Sequence, residues 1–295
     1  MPPSPSAPQA SDRFPGPRRE DCPWCGSARL RPPPRPPRAV ALDECGECAH
    51  VFRNPPPAED TRAPSRRPHR ATARALAGLA DPESWLDAGT GHGHFPEAAR
   101  EFFPYTSFDG LDPTARVERA LAEGRVEEAH RGLLTTPGMT DRLRARYDVV
   151  SLFHHLAQVP DPRAELRAAL AVLRPGGHLV IEAPDPASAH AGLLGLLGLR
   201  RPPHPHLLPL PNLEAELRAQ DCVITTTARV HHPEGPAATL PGPLRAPLAA
   251  ATALDRLLAP LTRRTRFANT YRVVARKPGR LPGQAAPGVP ADPPT

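Results

Sequence analysis

The sequence predicts an α/β fold in which a mostly parallel sheet is covered by helices on both faces. Short apolar segments alternate with segments of helical periodicity from about residue 70 to residue 183, and such alternation builds a parallel sheet. One strand, which begins at Trp85, leads into a turn with glycine at every second position. At 295 residues the chain is long enough for one such domain and a small additional module.

The predicted elements follow from periodicity and from helix start and stop signals. The segment 163–173 carries apolar residues at helical spacing, and Pro96 stands in the first turn of another helix. In chain order we predict a helix at 70–80, a strand beginning at Trp85, a helix at 95–103, strands at 105–111 and 147–153, a helix at 163–173, a strand at 178–183, helices at 187–199 and 211–220, a strand at 222–230, a helix at 248–258 and a strand at 267–275.

The segment 85–93, WLDAGTGHG, is the most informative part of the chain. An apolar strand ends at Asp87 and is followed by Gly89, Gly91 and Gly93. The first glycine permits a sharp turn, and the others remove Cβ atoms that would keep a ligand from the backbone. A strand, a glycine loop and a helix N-terminus together form a nucleotide-sized binding site. A tight turn without a ligand is the alternative.

A second carboxylate, Asp112, follows the next strand, 19 residues after Gly93. A carboxylate at this distance from the loop is where ribose hydroxyls are bound, and ionised aspartate suits them because it only accepts hydrogen bonds. Asp112 could instead be the N-cap of a helix that begins with Pro113 and Thr114. The two roles are compatible.

Two sequence blocks resemble class I S-adenosylmethionine-dependent methyltransferases. The loop reads Asp-x-Gly-x-Gly-x-Gly, which is similar to motif I of that family. The block YDVVSLFHHLAQVPDPRAELRAALAVLRPGGHLVIEAP, at 147–184, is similar to the second half of the domain. The resemblance covers about residues 70–277. It implies a Rossmann-like seven-stranded methyltransferase sheet whose last two strands form an antiparallel hairpin at the sheet edge.

The resemblance also implies roles for individual residues. The aspartate before the loop fixes the amino-acid end of S-adenosylmethionine, the glycines let the cofactor approach the backbone, and the second aspartate binds the ribose. The end of the strand at 147–153 lies over the methionine portion and the methyl group. The cofactor-binding residues implied in this way are Asp87, Gly89, Gly91, Gly93, Asp112 and Phe153.

Methyl transfer is an in-line displacement that depends on holding donor and acceptor in line. An oxygen or nitrogen acceptor also needs a general base, for which His154 and His155 are the candidates at the carboxyl end of a central strand. Structural packing is the alternative for either histidine. The chain departs from the family at 126–134, which lacks a clear adenine-reading residue, and at Ala157-Gln158, where relatives commonly have Glu-His.

Four of the five cysteines form two C-x2-C pairs, with nineteen residues between the pairs. This spacing is typical of a zinc ribbon, in which two turns direct four thiolates to a tetrahedral ion. Disulfides or an unliganded redox pair are the alternatives. The segment resembles the N-terminal ribbon of a group of bacterial methyltransferases, and a closed four-thiolate site implies structural zinc. The predicted zinc ligands are Cys22, Cys25, Cys45 and Cys48. We expect His50 at the surface and Cys222 in the core.

Proline marks the expected linkers and tails, since the chain holds 44 prolines and they cluster. We predict a disordered tail at 1–20, the zinc ribbon at 21–56, a linker at 57–69, the methyltransferase domain at 70–277 and a disordered tail at 278–295. No segment resembles a signal peptide, and the longest apolar helical stretch, 191–199, is too short to span a bilayer. We therefore expect a cytoplasmic protein that does not bind membranes.

The net charge of +6 does not by itself predict a nucleic-acid partner. Lys277 is the only lysine, and the arginines are spread along the chain rather than gathered in one stripe. The expected function is methyl transfer from S-adenosylmethionine to a small molecule or to a sugar or glycan precursor. The alternatives are an RNA methyltransferase that grips RNA with its ribbon, and a non-catalytic binding or regulatory protein that retains the fold.

Overall fold

A computed structural model describes residues 17–31, 42–56, 69–79, 81–188, 205–230 and 268–279. The predicted helix at 248–258 and nearly all of the one at 187–199 lie outside these residues. The helices are α1 (His69–Leu76), α2 (His94–Ala99), α3 (Arg116–Ala122), α4 (Met139–Arg142), α5 (Pro162–Val172) and α6 (Leu210–Ala219). The strands are β1 (Leu30–Arg31), β2 (Leu42–Cys45), β3 (Val51–Arg53), β4 (Ser84–Ala88), β5 (Ser107–Asp112), β6 (Ala129–Arg131), β7 (Tyr147–Phe153), β8 (Leu173–Pro184), β9 (His206–Leu207), β10 (Val223–Val230) and β11 (Thr270–Arg276).

Seven strands form one sheet in the order β10-β11-β8-β7-β4-β5-β6. The pairs among β4, β5, β6, β7 and β8 are parallel, whereas β11 runs antiparallel to both β8 and β10. This arrangement confirms the predicted seven-stranded Rossmann-like fold. The hairpin partner β11 lies inside the sheet, and β10 alone forms that edge.

The strand β4 stands at the point where the strand order reverses. Along the chain the sheet grows from β4 to β5 on one side, and it later continues from β4 to β7 on the other. The connections after β4 and β7 therefore diverge, which leaves a crevice at the carboxyl ends of these strands. Ligands of open α/β sheets bind at such a switch point, and the glycine loop occupies it.

Local sequence signals account for the best-predicted elements. The observed β7 coincides with the predicted strand at 147–153. The helix α5 begins at Pro162, and the side chain of Asp161 accepts a hydrogen bond from the backbone N–H of Ala164 at 2.9 Å. Both residues are preferred at a helix start, because Asp satisfies a free N–H and Pro has none to satisfy. The helix α2 is shorter than predicted and begins directly after Gly93.

The core of this sheet has a different character on its two faces. Trp85 and Leu86 are consecutive and fully buried on β4, so they point to opposite faces. On the face of Trp85 the cluster is aromatic, with Phe95, Phe103 and Phe108 around the indole at ring-centroid distances of 5.2 to 5.6 Å. The other face is mostly aliphatic. The central strands are therefore packed on both faces, and this packing fixes the position of the loops that follow them.

The N-terminal cysteine region forms a second, four-stranded sheet in the order β1-β2-β3-β9. Its fourth strand comes from a distant part of the chain, since Val51 pairs with Leu207 and Phe52 with His206. We call residues 17–31 and 42–56 together the ribbon. Among the described residues, no helix has the length and apolar character that crossing a membrane requires.

Candidate active site and cysteine cluster

The glycine loop is held against β5 by its backbone. The N–H groups of Gly89 and Thr90 both donate to the carbonyl oxygen of Leu111, at 2.7 and 3.1 Å. Gly89, Gly91 and Gly93 have φ values of +80, +57 and +72°, a left-handed conformation that favours glycine. A Cβ on Gly89 would lie 2.7 Å from Nδ1 of His155, whereas a Cβ on Gly91 would have no atom within 4 Å. Gly91 therefore faces open space.

Asp87 is buried at the end of β4, beneath this loop. One carboxylate oxygen, Oδ1, accepts a 2.7 Å hydrogen bond from the hydroxyl of Ser151, which itself accepts one from the Trp85 indole N–H at 3.0 Å. The register pairs Asp87 directly with Ser151 across β4 and β7. The core of the sheet thus fixes the orientation of the carboxylate.

Asp112 is also buried, and its two carboxylate oxygens have different partners. Oδ2 accepts a hydrogen bond from the backbone N–H of Gly91 at 3.1 Å, and Oδ1 accepts from the N–H and the hydroxyl of Thr114 at 2.9 and 2.5 Å. The carboxylate therefore joins the glycine loop to the turn after β5. It is not the N-cap of α3, a position held by Ala115.

The end of β7 brings the remaining candidate residues beside the loop. Phe153 packs on the ring of Phe95 with centroids 4.5 Å apart. His154 has a left-handed backbone with φ of +57°, and its N–H donates to the carbonyl oxygen of Glu182 at 2.7 Å. A non-glycine residue in this conformation is uncommon, and such residues cluster at functional sites. Both His154 and His155 are buried.

Glu165, in the first turn of α5, is a site residue that sequence reasoning missed. Its Oε1 accepts from His155 Nε2 at 2.8 Å and from the Leu134 N–H at 2.9 Å, while Oε2 accepts from the N–H and hydroxyl of Thr135. Burial alone would raise the pKa of this carboxyl, but the hydrogen bonds from His155, Leu134 and Thr135 hold it below its usual range. Glu165 is thus a buried carboxylate.

The four cysteines come together as the spacing predicts. The Sγ atoms of Cys22 and Cys48 are 3.7 Å apart, those of Cys25 and Cys45 are 3.5 Å apart, and all four lie within 4.8 Å of one another. A tetrahedral zinc ion with Zn–S bonds of about 2.3 Å requires sulfur–sulfur distances of roughly 3.8 Å. The donor set therefore fits zinc in number, element and separation.

Two thiols of this cluster have opposite pKa shifts. Burial raises the pKa of the Cys22 thiol to about 11. Burial also acts on Cys45, but hydrogen bonds from the backbone N–H groups of Cys48 and Glu47 outweigh it and lower the pKa of that thiol to about 7. Backbone N–H groups directed at sulfur are what a thiolate requires, so the turn around Cys45 is already arranged for a charged ligand.

The predicted surface position of His50 is wrong, because its side chain is fully buried. Its ring lies 5.6 Å from that of Phe52 and 5.2 Å from that of His206, between centroids. Burial and the neighbouring His206 lower its pKa well below the usual value, so the ring is neutral. The distant strand β9 covers His50, which no local pattern could indicate. Cys222 is buried, as expected.

A second group of ligand-type side chains, Asp109, Glu128 and His130, lies within 4.8 Å on β5 and the neighbouring β6 segment. Arg146 pairs with both carboxylates, and an Arg142 Nη2 atom lies 3.2 Å from His130 Nδ1. Burial and the Arg142 charge lower the pKa of His130 to about 4. Because the Arg146 guanidinium already pairs with both carboxylates, we interpret this group as an ion-pair network rather than a metal site.

Comparison with known proteins agrees with this fold. A family described as a methyltransferase domain matches residues 60–227, more than half of the chain. A ubiquinone biosynthesis O-methyltransferase of Alkalilimnicola ehrlichii is 34% identical over 110 residues, which cover 37% of this chain and 44% of that protein. The chain thus spans less than half the length of this curated relative.

Two solved structures are similar in fold at low identity. A chain from the complex between the Haloferax volcanii Trm112 methyltransferase activator and a methyltransferase has a TM-score of 0.51 at 16% identity, with 73% of this chain and 91% of that chain covered. The cyclase SpnF has a TM-score of 0.50 at 19% identity, with 75% and 85% covered. With the strand order, the glycine loop at the switch point and the family match taken together, the chain belongs to the class I S-adenosylmethionine-dependent methyltransferases.

Proposed function

We propose that this protein transfers a methyl group from S-adenosylmethionine to a small molecule or to a sugar or glycan precursor. The observation that carries the proposal is the open space above Gly91, in a loop that follows the buried Asp87 and is bonded to the buried Asp112 at the switch point of the sheet. A ligand would use both features, since its approach needs the open side and its polar groups need acceptors.

The residues around this space fit the two ends of the cofactor. Asp87 is directed by Ser151 and serves the amino-acid end, while Asp112, whose carboxylate accepts hydrogen bonds, serves the ribose hydroxyls. The backbone can approach the cofactor at the three glycines, Gly89, Gly91 and Gly93. Phe153 packs on Phe95 in α2, the helix that follows the loop. The buried hydroxyl of Thr90 lacks a hydrogen-bond partner within the described structure, which also favours a polar ligand here.

When bound, S-adenosylmethionine supplies an electrophilic methyl group on a sulfonium. The protein's contribution is to hold the acceptor in line with that group and, for an oxygen or nitrogen acceptor, to remove a proton. We assign the proton removal to the His154–His155 pair at the end of β7. The name of the A. ehrlichii relative, an O-methyltransferase, supports an oxygen acceptor.

We assign structural Zn²⁺ to Cys22, Cys25, Cys45 and Cys48. Four protein thiolates fill a tetrahedral site, so the ion has no open position for catalysis. The ribbon contacts the rest of the protein through backbone groups next to these ligands. Asn212 donates to the Cys48 carbonyl oxygen at 2.7 Å, and Arg163 donates to the Trp24 carbonyl oxygen at 3.2 Å. These contacts favour a ribbon that is packed on the rest of the protein and has a structural role.

Calorimetric titration with S-adenosylhomocysteine tests the proposal. We expect micromolar binding by the wild type and a loss of about tenfold or more in Asp87→Asn, since a hydrogen bond to a charged group is removed. Gly91→Ala should also weaken binding, because its methyl group projects into the open space. Gly124→Ala is the matched control: its φ is +67° and its Cβ would likewise meet nothing within 4 Å, but it lies at the end of α3.

A folded, zinc-loaded protein that does not bind S-adenosylhomocysteine would overturn the proposal in favour of a non-catalytic role. Equal effects of Gly91→Ala and Gly124→Ala would show that backbone strain, not a ligand, explains the loss. Tight RNA binding that weakens steeply with salt would support the RNA alternative instead.

A further inference from the structure

The strand β9 lies between the ribbon and the segment 154–161, which leads from β7 to α5 and carries the histidine pair. Toward the ribbon, β9 pairs with β3, and the N–H of Arg53 donates to the carbonyl oxygen of Pro205, just before β9, at 2.8 Å. Toward the segment, the N–H of His206 donates to the carbonyl oxygen of Ala157 at 3.1 Å. The backbone at β9 therefore joins the ribbon to the segment 154–161.

The side chain of His206 makes the same connection a second time. Its buried ring donates a hydrogen bond to the backbone of Val159, and burial lowers its pKa to about 4, so the ring is a neutral donor near neutral pH. The ring of His50 lies 5.2 Å from it, between centroids, and Nδ1 of His50 is 3.8 Å from Sγ of Cys22. A continuous set of contacts thus leads from one of the cysteines assigned to zinc to the segment 154–161.

The two ends of this segment are held by different parts of the protein. At its start, the N–H of His154 donates to the carbonyl oxygen of Glu182 in the seven-stranded sheet. Beyond its end, Arg163 of α5 donates to the carbonyl oxygen of Trp24 in the ribbon at 3.2 Å. Leu156 belongs to the same apolar cluster as Trp24. The sheet therefore holds the first residue, whereas β9 and the ribbon contact the chain after it.

Resting on the proposed function, we infer that the zinc-loaded ribbon holds the segment 154–161 in its catalytic position, with His206 as the positioning residue. A ribbon of this size cannot keep its strands together by apolar packing alone. When the ribbon opens, β9 loses its partner β3, and the segment loses its contacts to β9. Because methyl transfer depends on holding the reacting groups in line, the ribbon affects the reaction without contacting a reactant.

Amide hydrogen exchange of the full chain, followed by mass spectrometry, tests this coupling. Peptides that cover 154–161 should exchange about tenfold faster or more after a chelator removes zinc, because the segment opens more often once its contacts are lost. Peptides that cover β5 are the internal control and should not change, since β4 and β6, its neighbours, belong to the seven-stranded sheet. Equally faster exchange in both regions would indicate general unfolding and would overturn the inference.

Zinc-loaded variants test the part played by His206. His206→Phe keeps an aromatic ring but cannot donate to Val159, so exchange in 154–161 should rise about threefold or more. His206→Gln retains a side-chain N–H and should recover part of the protection. Asn212→Ala is the matched control, because it removes a ribbon contact at Cys48 and leaves the contacts of the segment intact. Its exchange in 154–161 should equal that of the wild type.

Exchange in 154–161 that is the same with and without zinc would overturn the inference. Zinc-dependent exchange that His206→Phe leaves at the wild-type rate would overturn the role of His206. If that variant does not fold, the wild type with and without zinc still decides whether the ribbon holds the segment. Titration with S-adenosylhomocysteine judges the proposed function separately. A protein that does not bind it, but whose segment still responds to zinc, would refute the function and not the coupling.

Discussion

The ribbon and the seven-stranded sheet are stabilised in opposite ways. The sheet carries a large apolar cluster on each face, and Trp85 and Phe108 are fully buried on strands of five and six residues. The ribbon strands have two to four residues. Leu42, Val51 and Leu207 form a small cluster of their own, and other ribbon residues pack into the mostly aliphatic cluster of the sheet: Cys22, Trp24, Cys45 and Phe52. One member of the small cluster, Leu207, belongs to β9. We therefore expect the ribbon to depend on the proposed zinc ion and on packing against its neighbour, whereas the sheet depends on apolar packing.

The ribbon is too small to be stable through apolar packing alone. A segment of this length cannot bury enough apolar surface to offset its conformational entropy, and a bound metal commonly supplies the missing stability. Placing β9 in the ribbon sheet also removes an exposed strand edge. The composition provides a convenient way to follow the two regions separately, because the chain has two tryptophans, Trp24 in the ribbon and Trp85 in the sheet.

The largest expected effect is loss of the ribbon in Cys45→Ser. A structural zinc ion contributes about 10–16 kcal/mol of binding free energy that is also folding free energy, so the ribbon should unfold while the sheet persists. In a Trp85→Phe background the emission of Trp24 should shift to the red, and in a Trp24→Phe background that of Trp85 should not. A red shift of both tryptophans would mean that the regions are one cooperative unit.

Trp85→Ala should have the next largest effect and should act on the sheet. Removing a fully buried aromatic side chain costs about 3–5 kcal/mol, and here it also removes the donor to Ser151. Urea unfolding measures the change. Tyr105→Ala is the control, because Tyr105 is 94% exposed and its loss should change stability by no more than about 0.5 kcal/mol. Equal effects would contradict the assigned core.

A smaller effect is expected at acid pH, where protonation of His130 should destabilise the folded sheet. Its folded pKa of about 4 lies below its usual 6.5, so the unfolded state binds more protons between these values. The free energy of unfolding should therefore fall as the pH falls from about 6.5 to about 4. His130→Gln should reduce this slope, measured as the difference from wild type in urea unfolding at each pH. The same change at the exposed His94 should leave the slope intact.

The smallest effect tests the contact between the two regions. Asn212→Ala removes the 2.7 Å hydrogen bond to the Cys48 carbonyl oxygen and should cost about 1 kcal/mol. The loss should appear as faster zinc release to a chelator, with Trp85 emission unchanged. Arg218→Ala on the same helix removes only an exposed pair with Glu214 and should leave the release rate unaltered.

Features encoded by neighbouring residues could be predicted from the sequence. The strand β7, the start of α5 at Asp161-Pro162, the glycine loop and the cysteine pairs each depend on a spacing of a few residues. The order of the sheet could be predicted only through the family resemblance, because pairing between β8 and β11 joins segments about a hundred residues apart and leaves no mark on local periodicity.

Features that depend on tertiary contacts were missed for the same reason. Glu165 stands where helices commonly carry an exposed acidic residue, and only packing against the segment after β6 makes it a buried partner of His155. The strand β9 has two residues and no period to detect. The surface position predicted for His50 is wrong because β9, which covers it, lies about 150 residues further along the chain.

The position of β11 has a consequence for how the protein is made. It lies between β8 and β10, and β10 pairs with β11 alone among the described strands. During synthesis the edge of β8 therefore stays unpaired until β11 has been made. The strand β10 leaves the ribosome before β11, its partner, exists. An unpaired edge of this kind is where nascent chains aggregate. Chains that stop before residue 270 should consequently need chaperones, although their glycine loop and ribbon are already complete.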